Sequence, residues 1–343
     1  MKRLMLFFAV LLFCAATVFG ELLEIHFMDV GQGAAVLLRT PEAAVLVDAG
    51  RDETAAAYLA SIGVGSLDLA VATHAHADHI GGFEHLFRAL PVHRLWYNGQ
   101  THTTRTFERF IDAVLDSEAA YYEPSRGERI EFSDLVITVL HPLGSAADYT
   151  GHLHDMNIVL RAEYGEFSVL LTGDAEVVTE LEIIRSGMKI ASTVLKLGHH
   201  GSRTSSSLQF LRAVSPQAVV YQAAADNPYG HPHDEVIVRA RDIVGAAVYG
   251  TDHHGTVTIV TDGTSYRVTT ESRRETGDSD ACVEINTAPV EELSRIIHVG
   301  EERAQQIVSL RPFRSLGELV RIRGIGEARL RAIVEQGLVC PIE

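Results

Sequence analysis

A cluster of candidate metal-binding side chains comes directly after an apolar stretch and limits the folds that are open to this chain. The apolar residues 67–72 lead into the sequence Thr73-His74-Ala75-His76-Ala77-Asp78-His79-Ile80-Gly81-Gly82. The spacing H-x-H-x-D-H turns four donors toward one point where a strand ends and the chain bends into a helix. Imidazole nitrogens with one carboxylate suit zinc or a metal of similar softness. The cluster therefore predicts a metal site at a strand end, with an exposed His-rich loop as the weaker interpretation.

Further candidate donors lie next to other short apolar runs: Asp48, His154, Asp174, His199, His200 and His231. Asp174 closes such a run, and an aspartate at a strand end can bridge two ions with its two oxygens. Within the first cluster, His74 and His76 can serve one ion, and Asp78 and His79 a second. The downstream donors can complete both sites.

The size and charge of the chain limit its possible partners. It has 343 residues, of which 46% are hydrophobic, enough for one large domain and a small one. The net charge of −16 argues against a broad basic surface that coats nucleic acid without specificity. A local phosphate site remains compatible with this charge, because metal ions bring positive charge of their own.

The N-terminus has the pattern of a secretory signal peptide. Met1-Lys2-Arg3 precedes an apolar run that ends near Gly20, so we expect residues 1–20 to be removed and the mature protein to be periplasmic or extracellular. A retained N-terminal membrane anchor outside the cytoplasm is the alternative. The run is short for a membrane span, which needs about 20 residues, and we expect no span in the mature chain.

Two of the three cysteines remain after removal of the signal peptide. Cys282 and Cys340 flank the last part of the chain. In an oxidising compartment they can form a disulfide, and the alternative is two unpaired thiols. The sequence leaves both open.

The chain divides into a large domain, a linker and a small domain. Residues 21–270 alternate short apolar strands with a few helices, which indicates an α/β (α+β) domain of two packed sheets with helices outside. The helices are expected at 54–62, 107–116, 176–186 and 234–244. Residues 271–281 contain no large apolar residue and are predicted to be a linker. Residues 282–343 are predicted to be helices joined by Gly-containing turns.

The order of these motifs resembles the metallo-β-lactamase superfamily. Its pattern is matched by Asp48-Ala49-Gly50, the H-x-H-x-D-H cluster, a lone His and Thr172-Gly173-Asp174. The further motifs F-M-D-V-G-Q-G, L-T-G-D-A-E, L-K-L-G-H-H-G-S and N-P-Y-G-H-P resemble the ComEC-like extracytoplasmic hydrolase domains, over about residues 24–262. The resemblance implies a four-layer αββα sandwich with a dinuclear metal site between the sheet edges.

The resemblance also implies a ligand set of seven residues. One ion would be held by His74, His76 and His154, the other by Asp78, His79 and His231, with Asp174 as the bridge. ComEC-like domains often carry Asp at the position of His76 and Asn at that of His154. The fuller set here favours a true two-metal site, and we expect two divalent ions, zinc first and manganese second.

The roles of three histidines stay open. We prefer His231 as a ligand, with His199 and His200 as general acid or transition-state donors beside Asp78. In the alternative, one of that pair is the ligand and His231 lies outside the ligand set. Asp48 is expected to hold a ligand imidazole, with capping of a strand end as its other role.

The C-terminal residues resemble a tandem helix-hairpin-helix domain of the ComEA-like DNA receptors, over about residues 283–340. Such hairpins present backbone N–H groups to a DNA phosphate. Thr287 is the candidate cap of the first helix. The expected DNA contacts are Gly300, Arg323, Gly324, Ile325, Gly326 and Arg329. The second hairpin is the better candidate, because His298, Glu301 and Glu302 disfavour phosphate at the first. A protein-interaction module is the alternative.

Together these features predict an exported, two-metal phosphodiesterase that cleaves DNA during uptake or scavenging. DNA would be bound through its phosphate backbone without sequence specificity, and the DNA-uptake machinery is a further possible partner. One alternative is another hydrolase on the same scaffold, a phosphocholine esterase or a β-lactamase-like amidase. The other is a non-catalytic DNA-binding competence factor.

Overall fold

The chain forms two compact units. The structure, a computed structural model, describes residues 22–147, 149, 151–271, 282–336 and 338–340. The described residues up to 271 form the first unit, and those from 282 form the second. The predicted signal peptide and residues 272–281 of the predicted linker lie outside the described residues. Within those described, no helix combines the length and apolarity that a membrane crossing requires.

Fifteen strands and eleven α-helices are found in the described residues. The strands are β1 (Leu23–Phe27), β2 (Val36–Arg39), β3 (Ala44–Val47), β4 (Leu69–Ala72), β5 (Arg94–Tyr97), β6 (Ala120–Tyr122), β7 (Arg129–Phe132), β8 (Leu135–His141), β9 (Val159–Tyr164), β10 (Phe167–Leu171), β11 (Val194–Lys196), β12 (Ala218–Tyr221), β13 (Ala247–Gly250), β14 (Val257–Thr261) and β15 (Tyr266–Thr270).

The α-helices are α1 (Thr54–Ser61), α2 (Ala77–Ile80), α3 (Phe83–Ala89), α4 (Arg105–Asp116), α5 (Val177–Arg185), α6 (Leu208–Val214), α7 (Asp234–Val238), α8 (Thr251–His254), α9 (Val290–Leu293), α10 (Glu301–Leu310) and α11 (Glu327–Gln336). Three 3-10 turns are found at Leu153–Met156, Gly198–Gly201 and Leu316–Arg321. A π-helical turn, Arg239–Ile243, follows α7.

The strands of the first unit form two sheets. The first sheet has the order β15-β14-β1-β2-β3-β4-β5-β6, and the second β13-β12-β11-β10-β9-β8-β7. Within the first sheet β3, β4, β5 and β6 run parallel, and within the second β10, β11, β12 and β13 do. Parallel strands carry their carboxyl ends to one sheet edge, so loops that follow them can share a site.

The two sheets pack face to face with helices on both outer faces. Apolar side chains from both sheets, such as Ile25, Val47 and Val169, form the core between them. A second core lies between the first sheet and helices α1, α3 and α4, and a third between the second sheet and α5, α6 and α7. The predicted four-layer αββα sandwich is therefore confirmed.

The predicted elements agree with the structure except at a few segments. The helix expected at 234–244 ends as an α-helix at Val238 and continues as the π-helical turn. Strands β5, β6, β7 and β15 were not predicted, and neither were helices α3, α6 and α8. Glu271, assigned to the linker, still pairs with the first unit, because its carboxylate accepts from the Thr256 N–H at 2.9 Å.

The second unit has a small core of its own. Residues such as Ile285, Leu293, Ile307 and Phe313 are buried there. Cys282 and Cys340 form a disulfide that ties the two ends of this unit together. The predicted cap at Thr287 is wrong, because α9 begins only at Val290, with Pro289 at the N-cap position. Pro is well suited to a helix start, where no backbone donor is required of it.

Candidate metal centre

The H-x-H-x-D-H cluster spans the bend between β4 and α2, as the sequence predicts. His76 is the extended N-cap residue of α2, and its carbonyl accepts from the Ile80 N–H at 3.0 Å. The bend packs tightly on the preceding loop, since a Cβ at Gly82 would lie 2.0 Å from the Ala49 carbonyl oxygen. Glycine at this position therefore lets the chain turn its donors inward.

The first group of donors combines His74, His76, His154 and Asp174. The Nε2 atom of His74 lies 2.9 Å from Nδ1 of His76, which lies 3.0 Å from Nε2 of His154. The Nε2 atoms of His74 and His154 are each 3.8 Å from Oδ2 of Asp174. Ligand atoms around a tetrahedral zinc ion stand roughly 3.3 Å apart, so this spacing fits one ion.

The second group combines Asp78, His79 and His200 beside the same Asp174 oxygen. Oδ2 of Asp78 is 3.3 Å from Nε2 of His200, and that nitrogen is 3.5 Å from Oδ2 of Asp174. Nε2 of His79 lies 3.2 Å from Asp174 Oδ2. A single carboxylate oxygen thus faces both groups.

Several buried atoms at this point have no hydrogen-bond partner among the described residues. They include Nε2 of His79, Nε2 of His200 and Oδ1 of Asp174. Buried polar atoms are rarely left unpaired, and a coordinated cation satisfies such atoms. The donor set therefore fits two divalent ions.

Four imidazoles are held through Nδ1 so that Nε2 faces Asp174. His79 donates to Asp48 at 2.7 Å, His154 to Glu176 at 3.3 Å and His200 to the Gln222 carbonyl at 2.8 Å. The Nδ1 atom of the fourth, His74, lies 3.0 Å from the Thr73 hydroxyl. Metal-binding histidines characteristically donate their other ring N–H in this way, which fixes the tautomer.

Asp48 is a buried carboxylate that contacts residues of the metal-binding bend. Its two oxygens accept from the Thr73 N–H at 2.8 Å, the Thr73 hydroxyl at 2.9 Å and His79. Thr73 in turn contacts His74, so this buried carboxylate orients one imidazole of each group. The sequence led us to expect that Asp48 holds a ligand imidazole, without indicating which one, and here it contacts His79.

Glu176 holds two imidazoles and was not singled out from the sequence. Its Oε1 atom lies 3.3 Å from Nδ1 of His154, 3.2 Å from Nδ1 of His199 and 2.8 Å from the Thr204 hydroxyl. The residue occupies the N-cap position of α5, two residues after Asp174. A carboxylate at a helix start beside a strand-end ligand is the signal that could have identified it.

A left-handed turn directs His199 and His200 into the centre. His199 has φ 47° and ψ 51°, His200 has φ 56° and ψ 23°, and Gly201 has φ 82°. Left-handed backbone at non-Gly residues costs about 1–3 kcal/mol each and persists where the surroundings impose it, commonly at functional sites. The turn sends the two rings to different sides, so that His200 is buried while the side chain of His199 remains 24% exposed.

His231 lies beside the centre, outside both donor groups. Its ring is stacked on that of His200 at 6.2 Å between centroids and lies edge-on to that of His199 at 5.4 Å. The sequence led us to prefer His231 as the third ligand of the second ion. His200 lies with Asp78 and His79, as in the alternative. Nδ1 of His231 is buried without a hydrogen-bond partner among the described residues, so its role as a ligand stays a prediction.

Burial lowers the pKa of several imidazoles around the centre, as metal binding requires, but not of all of them. For His79 and His200 burial alone would lower the pKa, but the neighbouring carboxylates, Asp174 above all, raise it. Burial lowers the pKa of His76 and of His231 to about 4, with neighbouring imidazoles adding to the effect. Burial also lowers the pKa of His154. Neutral imidazoles offer the lone pair that a metal ion needs. Burial alone would raise the pKa of Asp78, but the His200 and His79 rings hold it well below its usual range.

Lys196 is a buried cation beneath the centre. Its Nζ atom donates to the Gly173 carbonyl at 3.2 Å, next to Asp174. Burial lowers the pKa of this amine, and the carboxylates of Asp174, Asp48 and Asp78 oppose that shift. The side chain of Lys196 therefore points toward the centre.

The predicted DNA contacts lie at the two hairpin turns of the second unit. Gly300 is the N-cap residue of α10, and Gly326 directly precedes α11. Gly324 has φ 89°, and its carbonyl accepts from Nη1 of Arg329 at 2.5 Å. The backbone N–H of Arg323 donates to Gln306 at 2.9 Å.

Ile325 was predicted as a DNA contact, and the structure does not support that role. Its side chain is buried in the core of the second unit, and its N–H donates to the Ile322 carbonyl at 3.0 Å. Neither group is available to a phosphate, so Ile325 supports the turn from within. The remaining predicted contacts are Gly300, Arg323, Gly324, Gly326 and Arg329.

Comparison with known proteins identifies the class. Residues 28–224 match the metallo-beta-lactamase superfamily, and residues 279–336 match the helix-hairpin-helix motif. The chain therefore belongs to the metallo-beta-lactamase superfamily and carries a C-terminal helix-hairpin-helix domain.

Its relatives include competence proteins. ComE operon protein 3 of Bacillus subtilis (strain 168) is 29% identical over 255 residues, 68% of this chain and 32% of that protein. Competence protein ComA of Neisseria gonorrhoeae is 31% identical over 245 residues, 66% of this chain and 32% of that protein. A deoxyribonuclease of Thioalkalivibrio sp. (strain K90mix) is 42% identical over 67 residues, 19% of each chain. The chain thus spans about a third of the length of the two competence proteins.

Proposed function

We propose that this protein is an exported phosphodiesterase that hydrolyses DNA with two divalent metal ions. The observation that carries the proposal is the shared Oδ2 atom of Asp174, which faces two complete groups of donors. Two such ions a few ångström apart would lower the pKa of a shared water and neutralise a phosphodiester when bound. In this proposal His200 is the ligand of the second ion.

The side chains around the two donor groups have separate tasks. Asp48 and Glu176 hold the ligand imidazoles in one tautomer, and Lys196 balances part of the carboxylate charge. His199, the most exposed ring beside Asp174, keeps Nδ1 on Glu176 and leaves Nε2 free to donate a proton to the departing oxygen.

DNA is the proposed substrate because a helix-hairpin-helix domain accompanies the hydrolase fold. Such hairpins contact DNA phosphates through backbone N–H groups. Two relatives are named as competence proteins and one as a deoxyribonuclease, which supports a substrate handled during DNA uptake. The second unit would hold the strand, and the first would cut it.

Export is proposed from the N-terminal sequence and supported by the disulfide. Residues 1–20 have the charge and apolar pattern of a signal peptide. The Cys282–Cys340 disulfide suits an oxidising compartment, since cytosolic thiols are kept reduced.

The proposal is tested with three substrates side by side. Purified protein loaded with Zn²⁺ or Mn²⁺ is incubated with labelled DNA, with bis-p-nitrophenyl phosphate and with a β-lactam. We expect cleavage of the DNA and of the phosphodiester dye, both abolished by Asp174→Ala. Turnover of the β-lactam alone would refute the phosphodiesterase, and DNA retention without any hydrolysis would make the protein a binding factor.

A further inference from the structure

An exposed aromatic ring stands at the rim of the metal centre and has no role in the proposed chemistry. Tyr229 is 58% exposed, on the loop between β12 and α7. One face of its ring is stacked on His231 with 5.7 Å between centroids and 25° between planes. His231 is stacked in the same way on His200, so a ladder of three rings leads from the second donor group to the surface.

A single side chain fixes the loop that carries this ring. Nδ2 of Asn227 donates to the carbonyls of Ala224 and His231, at 2.8 and 2.6 Å. Its Oδ1 accepts from the N–H groups of Tyr229 and His231, at 3.2 and 2.9 Å. These four hydrogen bonds fix the backbone of the loop that carries the ring, which reduces the entropy lost when a ligand stacks on it.

We propose that Tyr229 is a stacking platform for a nucleobase of the substrate strand, an inference that rests on the proposed DNA phosphodiesterase. The ladder separations place the ring within about 12 Å of the His200 ring. Stacked bases repeat at about 3.4 Å along one strand, so the base on Tyr229 lies a few nucleotides from the scissile phosphate. An aromatic face accepts any base, which suits a substrate bound without sequence preference.

The donor groups and Tyr229 would bind different parts of the substrate. A phosphodiester without a base satisfies the donor groups but leaves Tyr229 unused. An unpaired, flexible strand can offer a base to the ring, whereas a base within a duplex is already stacked between its neighbours. The geometry therefore points to single-stranded DNA at this side of the centre.

The test is an abasic scan on the full-length, metal-loaded protein. The substrates are a short single-stranded oligonucleotide and a series in which a tetrahydrofuran abasic residue replaces one nucleotide at a time. The proteins are wild type, Tyr229→Ala, Tyr229→Phe and Tyr122→Ala. Tyr122 is the matched control, because it is 48% exposed and lies on strand β6, outside both donor groups.

Loss of one base–aromatic stack costs about 1–3 kcal/mol, which corresponds to a rise in KM of about 5- to 150-fold. We expect that rise for Tyr229→Ala, with little change for Tyr229→Phe or Tyr122→Ala. We also expect one abasic position to raise the KM of the wild type by a similar factor. In Tyr229→Ala, the same abasic position should raise KM no further.

Two failures are distinguishable. If the wild type cleaves no DNA, the proposed function is refuted and the platform with it. If the wild type cleaves DNA and Tyr229→Ala keeps the wild-type KM, the platform alone is refuted. The same holds if the rise in KM caused by Tyr229→Ala adds to the rise caused by every abasic position.

Discussion

At the scale of single residues, Glu176 shows whether the ligand imidazoles depend on neighbouring side chains for their orientation. One of its oxygens holds His154 in the first donor group and His199 beside it. Residues that orient a ligand imidazole typically contribute 10- to 100-fold to metal affinity or activity, by order of magnitude.

We predict that Glu176→Gln lowers zinc affinity by about 10- to 100-fold, because the amide does not provide the anionic acceptor that fixes the Nδ1–H tautomer of His154. The measurement is competition with a coloured chelator. Glu166→Gln is the matched control, since Glu166 is an exposed glutamate in the turn between β9 and β10. Equal affinities for the two variants would contradict the role given to Glu176.

The assignment of the second site is tested by removing His200 and His231 separately. Nε2 of His200 faces both Asp78 and Asp174, whereas His231 packs beside the His200 ring. We predict that His200→Ala binds about one zinc ion per chain and that His231→Ala still binds about two. Elemental analysis after saturation and desalting gives the answer, and the reverse pattern would restore His231 as the ligand.

The ligand set could be predicted from the sequence as far as the donors follow ordinary strand ends. The bend after β4 carries His74, His76, Asp78 and His79, and the turn after β10 carries Asp174, so motif and geometry agree. The choice between His200 and His231 depends on left-handed backbone at His199 and His200. Non-glycine residues rarely adopt it, and the sequence carries no signal of it.

At the scale of elements, the left-handed turn 199–201 is the piece of backbone that the centre depends on. Gly201 has φ 82°, and a Cβ there would lie 2.7 Å from Cβ of Pro232. The turn is thus wedged against the loop that carries His231.

We predict that Gly201→Ala destabilises the protein by more than Gly187→Ala does and weakens metal binding. Gly187 has φ 71° with no atom within 4 Å of an added Cβ, so its variant carries the backbone strain alone, about 1–3 kcal/mol. Denaturant midpoints and zinc affinity are compared for both. Equal midpoints with unchanged affinity would mean that the turn tolerates displacement.

Two of the strands that were not predicted have weak apolar patterns. Strand β6 is three exposed residues at the edge of its sheet, and β7 alternates exposed with half-buried positions at the edge of the other. Edge strands contact one neighbour only, so their sequences carry little of the buried signal that marked β4 or β10. The π-helical turn after α7 has no sequence signal that distinguishes it from continued α-helix.

At the scale of the whole molecule, we expect the first unit to cleave DNA and the second unit to bind it. The second unit contains eight arginines, no lysine and nine acidic residues from Cys282 onward. With so little net charge, we expect the proposed DNA binding to depend on local phosphate contacts. Such contacts weaken steeply with salt, because binding releases counterions.

We predict that a variant ending at residue 271 keeps its metal and its rate on a phosphodiester dye. It should lose affinity for DNA together with most of the salt dependence of that affinity. Fluorescence anisotropy at several salt concentrations measures this. Unchanged DNA affinity would make the second unit a protein-interaction module.

The central claim is that two metal ions, shared through Asp174, hydrolyse DNA. The most direct measurement titrates metal-free protein with Zn²⁺ or Mn²⁺ and records bound metal and DNA-cleavage rate together, for wild type and Asp174→Asn. We expect the rate to rise only as the second ion binds to each chain, and we expect Asp174→Asn to bind fewer ions and to leave DNA intact. Full activity at one ion per chain or fewer, or undiminished cleavage by Asp174→Asn, would contradict it.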